Sequence, residues 1–280
     1  MKPRLNLMAA QPLSQKLFND KLWLLGITAG LIAIHLTMTE RLSQSELFST
    51  SLLYWSAIAY LIWQKHEQLQ LRSDGPSTVA GLLLVLLILV KSQALGTADF
   101  FLRLFPFLLV LAVGLIASGW QGLKQYWREL LILVFLIPHS GLLSQLLDIS
   151  KSTAQAATVF LWYSGFDVYR QGVYVVLPTG SVEVNPGCAG YNLIMQLAGT
   201  SVIFLVMYST RWWQKVCLPV TAVLFGFLVN AIRVSIMAVL AASSNQTAFE
   251  YWHTGEGSVI FSAVAITLLG LFCFFTLQPE

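Results

Sequence analysis

The chain has 280 residues, of which 56% are hydrophobic and only 10% are charged. Soluble domains usually carry about a quarter charged residues, so this composition excludes a soluble protein and predicts an integral membrane protein. The net charge of +3 is small, and no basic run or aromatic platform indicates nucleic-acid binding.

The long apolar segments predict about eight transmembrane helices in one integral membrane domain, residues 1–280. A hydrocarbon core of about 30 Å needs about 20 apolar residues per helix. The predicted spans are 22–39, 47–64, 78–95, 100–120, 129–147, 192–209, 216–242 and 257–277. The first is interpreted as a retained span, because no small-residue cleavage site follows a short apolar core. The predicted fold class is an all-α polytopic membrane protein.

The placement of Lys and Arg favours eight spans with both termini in the cytoplasm. Cytoplasmic segments are enriched in these residues. The predicted inner segments hold ten of them: Lys2, Arg4, Lys16, Lys21, Lys65, Arg72, Lys124, Arg128, Arg211 and Lys215. The predicted outer segments hold five: Arg41, Lys91, Arg103, Lys151 and Arg170.

Segment 153–165 is apolar but too short to span comfortably, so it is an interfacial or re-entrant helix, or a tilted ninth span. A ninth span would move Arg211 and Lys215 outside, which favours eight. This segment lies within 148–191, the longest predicted extracytoplasmic segment. Later in 148–191, β-branched and aromatic residues at 173–176 and 181–184 flank a turn at 177–180 and predict a short β-hairpin.

Arg233 lies inside the seventh span, in "FGFLVNAIRVSIMAVLAA". An arginine within a membrane is costly and usually faces a polar cavity. Asn230 lies three residues earlier, on the same face of the helix. The alternative is an arginine that snorkels to the interface or has a purely structural partner.

His253 follows the seventh span, in "EYWHTGEGSV", where glycines permit a tight turn near a site. The alternative is a solvated loop histidine. Cys188 lies in "EVNPGCAGYN", at the outer start of the sixth span, where helix amides and the helix dipole favour a thiolate. Flanking glycines permit close approach of a substrate and leave amides free for an oxyanion. The alternatives are a small apolar filler, a disulfide with no second outer cysteine, or a zinc site lacking further ligands.

The predicted topology brings Cys188, Arg233 and His253 to the same outer membrane surface from three successive spans. In that arrangement Cys188 is the candidate nucleophile and His253 the candidate acid/base. Arg233 would stabilise an oxyanion and lower the pKa of the thiol. This chemistry is acyl transfer.

On these residues the chain resembles the exosortase/archaeosortase family of multi-spanning cysteine transpeptidases. The resemblance rests on "GCAGYN" at 187–192, "NAIR" at 230–233 and the histidine of "WHTGEG" at 252–257. The segment "NPGCAGYN" is most similar to the cyanobacterial branch, the cyanoexosortases. The family's proposed roles for cysteine, arginine and histidine fall on Cys188, Arg233 and His253. Asn230 would support them, and the further pocket candidates are Asn185, Tyr191, Asn192 and Glu256.

The resemblance implies a protein of the bacterial inner membrane whose active site faces the periplasm. Its substrates would be exported proteins that end in a short motif such as Pro-Glu-Pro, a transmembrane helix and a basic tail. Cleavage would pass through a thioester, with possible transfer to a lipid or an amine. The further expected partner is membrane lipid, and no cofactor or metal is expected.

Three other functions remain open from the residues alone. A transporter could use Arg233 to bind an anion, although no internal repeat is found. A thiol oxidoreductase would need a resolving cysteine near Cys188, and Cys217 and Cys273 are predicted near the other leaflet. A structural subunit of an export or polysaccharide assembly system would leave Cys188 without a chemical role.

Overall fold

The computed structural model describes residues 20–94, 100–253 and 257–276, and within these ranges it is a helical bundle with one small sheet. The helices are α1 (Asp20–Arg41), α2 (Ser45–Lys65), α3 (Gly75–Ser92), α4 (Phe100–Gly122), α5 (Trp127–Val134), α6 (Ser140–Leu146), α7 (Ser150–Tyr163), α8 (Tyr191–Met207), α9 (Trp212–Ala242), α10 (Gln246–His253) and α11 (Gly257–Thr276). The strands are β1 (Tyr169–Gln171), β2 (Tyr174–Leu177) and β3 (Gly180–Glu183).

Five helical stretches of the described chain are long and apolar enough to cross a membrane. They are Leu22–Arg41, Gly75–Ser92, Phe100–Val134, Trp212–Ala242 and Gly257–Thr276. The protein is therefore a helical membrane protein, in agreement with its composition. Helix α2, at 21 residues, is not among the five, and α8 is apolar but only 17 residues long. The predicted count of eight spans is not confirmed.

The fifth predicted span, 129–147, is not one continuous helix. It divides into α5 and α6, with a break around Pro138. Proline has no N–H to donate and disfavours the helical conformation in the residue before it. His139 then begins α6, because its Nδ1 accepts the N–H of Leu142 at 3.2 Å. The apolar run alone could not reveal this break.

The helices run up and down, so their ends meet at two opposite ends of the bundle. At the first, which we call the Lys65 end, Lys65 pairs with Glu129 at 2.9 Å, and Gln214 donates to the carbonyl of Thr276 at 2.6 Å. At the second, which we call the Cys188 end, the starts of α2 and α8 meet the last third of α9. The Cys188 end holds every residue that the sequence marks as a site candidate and that the structure describes.

Helix α9 is much longer than its neighbour α8, at 31 residues against 17. At 1.5 Å per residue the two helices are about 46 and about 26 Å long, so α9 extends beyond the start of α8. Helix α7 and the sheet pack on this extension through a cluster of buried apolar residues: Ala154, Ala157, Leu161, Val175, Leu177, Val184, Val234 and Ala238. With 14 residues, or about 21 Å, α7 is shorter than the hydrocarbon core.

The predicted hairpin is part of a three-stranded antiparallel sheet in the order β1-β2-β3. Strand β1 was missed because its sequence, Tyr-Arg-Gln, is polar and only three residues long. A two-residue turn joins β1 to β2, and its first residue, Gly172, has a φ of 64°. Leu177 pairs with Gly180 at the second turn, and β3 is an edge strand.

Candidate active site

A cavity of about 600 Å³ opens at the Cys188 end. This volume lies within the range typical of ligand-binding sites. The start of α2, strand β3, the loop from 184 to 190 and the ends of α9 and α10 surround it. Its polar and reactive lining residues include Glu46, Arg103, Ser181, Glu183, Asn185, Cys188, Asn192, Arg233, Gln246, His253 and Ser258.

Cys188 lies in a tight turn between β3 and α8, not within α8 itself. Its N–H donates to the carbonyl of Asn185 at 2.9 Å and to the Asn185 Oδ1 at 3.1 Å. That amide is therefore already satisfied and is not free to receive an oxyanion. Helix α8 begins three residues later, at Tyr191, with Gly190 as its N-cap.

The side chain of Asn230 in α9 packs against this turn and stabilises it. Its Nδ2 donates to the carbonyl of Cys188 at 2.9 Å, and its side chain is 1% exposed. Gly190 has a φ of 104°, and a Cβ at this position would lie 2.7 Å from the Nδ2 of Asn230. The glycine therefore permits both the left-handed backbone and the close approach of α9. Asn230 therefore contacts the turn that carries Cys188, and its supporting role in the chemistry stays a prediction.

His253, the last residue of α10, faces Cys188 across the cavity. Its Nε2 lies 3.0 Å from the Cys188 Sγ, which is within hydrogen-bonding distance for sulfur. The ring of Phe249, one turn earlier on α10, packs against the imidazole with ring centres 5.2 Å apart. This contact helps to fix the orientation of the imidazole toward the thiol.

The side chain of Arg233 contacts the backbone of His253. Its Nη2 donates to the His253 carbonyl at 2.5 Å, and its Nη1 pairs with the Glu46 Oε1 at 2.8 Å. Arg233 lies 21 residues after Trp212, the first residue of α9, which corresponds to about 32 Å along the helix axis. This distance is close to the thickness of a hydrocarbon core, so a membrane boundary at Trp212 would place the guanidinium near the opposite boundary.

Glu46 and Arg103 belong to the same network, and the sequence interpretation missed both as site residues. The Glu46 Oε2 accepts from the Asn192 Nδ2 at 3.1 Å, and the Asn192 Oδ1 accepts from the Arg103 Nη2 at 3.4 Å. Polar contacts therefore link Arg103 to His253 through Asn192, Glu46 and Arg233. The available signals were an acidic residue immediately before a predicted span and an arginine one turn into another. Arg103 contributed only to the predicted topology, and Glu46 contributed to no prediction.

The surroundings of the Cys188 thiol and the His253 imidazole favour the neutral form of each group. Burial raises the pKa of Cys188; Arg233 opposes this, while Glu46 and Glu183 add to it. Burial lowers the pKa of His253, Arg233 lowers it further, and Glu46 opposes both. The pKa of the thiol therefore moves in the direction opposite to the one predicted from Arg233 alone, because burial outweighs the guanidinium.

The other predicted pocket residues differ in where they lie. Asn185 and Asn192 line the cavity. Tyr191 is buried, and its hydroxyl donates to the carbonyl of Leu147 at 2.6 Å and accepts the N–H of Ile149 at 3.0 Å. Tyr191 therefore anchors the segment before α7. Glu256 lies outside the described residues.

Two kinds of chemistry lack support in the described part of the chain. No group of three or more His, Cys, Asp or Glu side chains there could hold a metal ion. The three cysteines are free, and Cys217 and Cys273 lie toward the Lys65 end, near the start of α9 and the end of α11. They are thus far along the bundle from Cys188, which disfavours a thiol oxidoreductase.

Comparison with known protein families gives a match over most of the chain. A family model described as "Transmembrane exosortase" matches residues 41–270, most of the chain. The matched range contains Glu46, Cys188, Arg233 and His253. No curated protein and no solved structure shows significant similarity to the chain.

Proposed function

The chain belongs to the transmembrane exosortase family, and on this premise we propose that it is a membrane-embedded cysteine transpeptidase or endopeptidase acting on exported proteins. Its substrates carry a C-terminal sorting signal made of a short motif, a transmembrane helix and a basic tail. The observation that supports this proposal most directly is the 3.0 Å separation of the Cys188 Sγ and the His253 Nε2 beside an open cavity.

The neutral pair supports attack through general-base catalysis. His253 accepts the Cys188 proton at Nε2 while Sγ forms a bond to the scissile carbonyl carbon. The same nitrogen then returns the proton to the departing amine as the C–N bond breaks, which leaves a thioester on Cys188. An acceptor attacks the thioester, His253 takes the acceptor's proton, and the thiol is released. The acceptor is water, an amine or a lipid headgroup.

Arg233 contributes positive charge beside the developing anion. Its terminal nitrogens are oriented by Glu46 and by the His253 carbonyl, so the guanidinium needs little reorganisation during the reaction. The proposal includes a periplasm-facing site in a bacterial inner membrane, with both termini in the cytoplasm. It also includes membership of the cyanobacterial branch.

The transporter alternative receives less support from the same contacts. The Arg233 guanidinium is already paired with the Glu46 carboxylate at 2.8 Å, so a transported anion would have to compete with that carboxylate. No observation specifically favours a structural subunit.

Replacement of the nucleophile tests the proposal. Cys188→Ser should abolish processing of a co-expressed signal-bearing reporter, while the protein still accumulates in the membrane. Cys217→Ser is the matched control and should process normally. Processing by Cys188→Ser at the wild-type rate would refute the peptidase function.

Labelling tests the orientation separately. A membrane-impermeant thiol reagent should alkylate Cys188 in intact cells of the Cys217→Ser/Cys273→Ser variant. Labelling that occurs only after the membrane is opened would place the site on the cytoplasmic side.

A further inference from the structure

Within the described part of the chain, strand β3 leaves one of its edges unpaired. The N–H of Val184 donates to the carbonyl of Val173 at 3.0 Å, which fixes one hydrogen-bonded position at the end of the β2–β3 ladder. Residues of an antiparallel pair alternate between hydrogen-bonded and non-hydrogen-bonded positions. Glu183 and Ser181 lie one and three residues before Val184, at non-hydrogen-bonded positions. Their N–H and C=O groups therefore point away from β2. Among the described residues, no backbone hydrogen bond from outside the sheet satisfies them.

This unpaired edge faces the cavity that contains the nucleophile. Ser181, Val182 and Glu183 all line the cavity, and Ser181 and Glu183 are exposed. The chain passes from Glu183 through four residues to Cys188. Backbone donors and acceptors are therefore available along one side of the cavity, up to the reactive thiol.

The edge is held rigidly from the other side. Val175 and Val184 are fully buried against the end of α9, and Gly180 approaches the backbone of α9 so closely that a Cβ would lie 3.0 Å from the Ala242 Cα. The sheet therefore cannot move away from the cavity without opening this contact. A fixed, unpaired strand edge is a ready template for an incoming strand.

We propose that the free edge of β3 binds an extended segment of the substrate polypeptide as a fourth strand and aligns its scissile bond with Cys188. This inference rests on the proposed function and specifies how its site binds the substrate. The occupant is a peptide main chain, because only a main chain supplies a donor and an acceptor at the strand spacing. Ser181 and Glu183 are two residues apart, about 7 Å, so the pairing covers about three substrate residues.

The proposal also assigns the source of specificity. Backbone pairing provides affinity that depends little on sequence, whereas pockets beside the edge select alternate side chains. The cavity offers the carboxylate of Glu183 on the strand itself and the guanidinium of Arg103 on the other side. Substrate side chains that point into the cavity therefore meet charges of both signs.

Proline substitutions on the protein test the edge directly. Ser181→Pro and Glu183→Pro each remove an N–H that β2 does not use, and each adds a ring at the proposed contact. Either change should slow processing of a reporter by about tenfold, the larger end of what one hydrogen bond contributes. Ser181→Ala and Glu183→Ala retain the backbone and should have smaller effects. Arg170→Pro is the matched control: by the same alternation its N–H points to the free edge of β1, away from the cavity.

Two further measurements separate loss of binding from damage to the site. Alkylation of Cys188 by iodoacetamide should proceed at the wild-type rate in Ser181→Pro. In Glu183→Pro it should proceed at the rate of Glu183→Ala, because both variants lack the carboxylate that raises the pKa of Cys188. A proline scan of the reporter, N-terminal to its cleavage point, should reduce processing with a period of two residues, because alternate N–H groups face β3. The scan does not depend on how the protein variants fold.

The outcomes distinguish this inference from the proposed function. If Cys188→Ser is inactive but both proline variants process normally and the scan lacks a two-residue period, edge pairing is wrong and the peptidase function stands. If Cys188→Ser processes normally, the peptidase function itself fails. If the proline variants change only the oligomeric state, the edge pairs two copies of the chain and the inference is overturned.

Discussion

Arg233 bridges the backbone of His253 and the carboxylate of Glu46, with contacts of 2.5 and 2.8 Å. The guanidinium thus joins the end of α10 to the start of α2 instead of contacting the imidazole ring. His253 is the last residue of α10, so the contact to its carbonyl fixes the position of its backbone. This in turn limits where its imidazole ring can lie. Arg233 therefore positions the imidazole opposite the thiol in addition to contributing positive charge.

The bridge predicts that lysine will not replace Arg233. A lysine ammonium carries the charge but lacks the planar fork that contacts Glu46 and the His253 carbonyl together. Arg233→Lys should slow reporter processing by about tenfold or more, a loss of at least about 1.4 kcal/mol of transition-state stabilisation. Arg128→Lys, on an exposed position near the Lys65 end, is the matched control. Wild-type processing by Arg233→Lys would show that only a positive charge is required.

The carboxylate of Glu46 predicts a measurable shift in the titration of the nucleophile. Its negative charge raises the pKa of both Cys188 and His253. Glu46→Gln removes that charge, so both pKa values should fall and the thiolate should form at lower pH. The pH curve for iodoacetamide alkylation of Cys188 should therefore move to lower pH than in the wild type. Glu67→Gln lies near the Lys65 end and should leave the curve unchanged; an unshifted curve in Glu46→Gln would contradict the assignment.

The sequence predicted the membrane class and the meeting of Cys188 with His253, because the residue types and their order along the chain carry that information. It could not predict Glu46, since a glutamate at the start of a helix is common and usually serves the helix dipole. Only the fold, which brings residues 46 and 233 together, gives that side chain a partner.

The other differences have local causes. A hydropathy pattern cannot show that Pro138 and the capping by His139 interrupt an apolar run. Nor could it show that burial would raise the pKa of Cys188, because the sequence reveals the neighbouring arginine but not the desolvation. The sheet was predicted only in part, since β1 has no β-branched residue.

The turn that presents Cys188 should be sensitive to the size of residue 190. Gly190→Ala imposes a side chain at a φ of 104° and a contact of 2.7 Å with Asn230, which donates to the Cys188 carbonyl. Processing should fall by about tenfold or more, because left-handed strain and loss of this hydrogen bond each cost about 1 kcal/mol. Gly30→Ala is the matched control, since a Cβ there meets no atom within 4 Å. Equal processing by both variants would show that the turn tolerates displacement.

The ion pair at the Lys65 end should affect stability without affecting the chemistry. Glu129 is fully buried, and the Lys65 Nζ lies 2.9 Å from its Oε2. Lys65→Met leaves this carboxylate without its cation, which should lower the free energy of unfolding by about 3–5 kcal/mol. Thermal unfolding in detergent, followed by tryptophan fluorescence, measures the loss.

The double variant Lys65→Met/Glu129→Leu should recover most of that stability, because replacing both partners of a buried pair by apolar side chains is often close to neutral. Both variants should process the reporter normally below their unfolding temperatures, since the pair lies at the opposite end of the bundle from Cys188. A double variant less stable than Lys65→Met would mean that Glu129 stabilises the fold through contacts other than Lys65. Slower processing in the folded double variant would show that the two ends of the bundle are coupled.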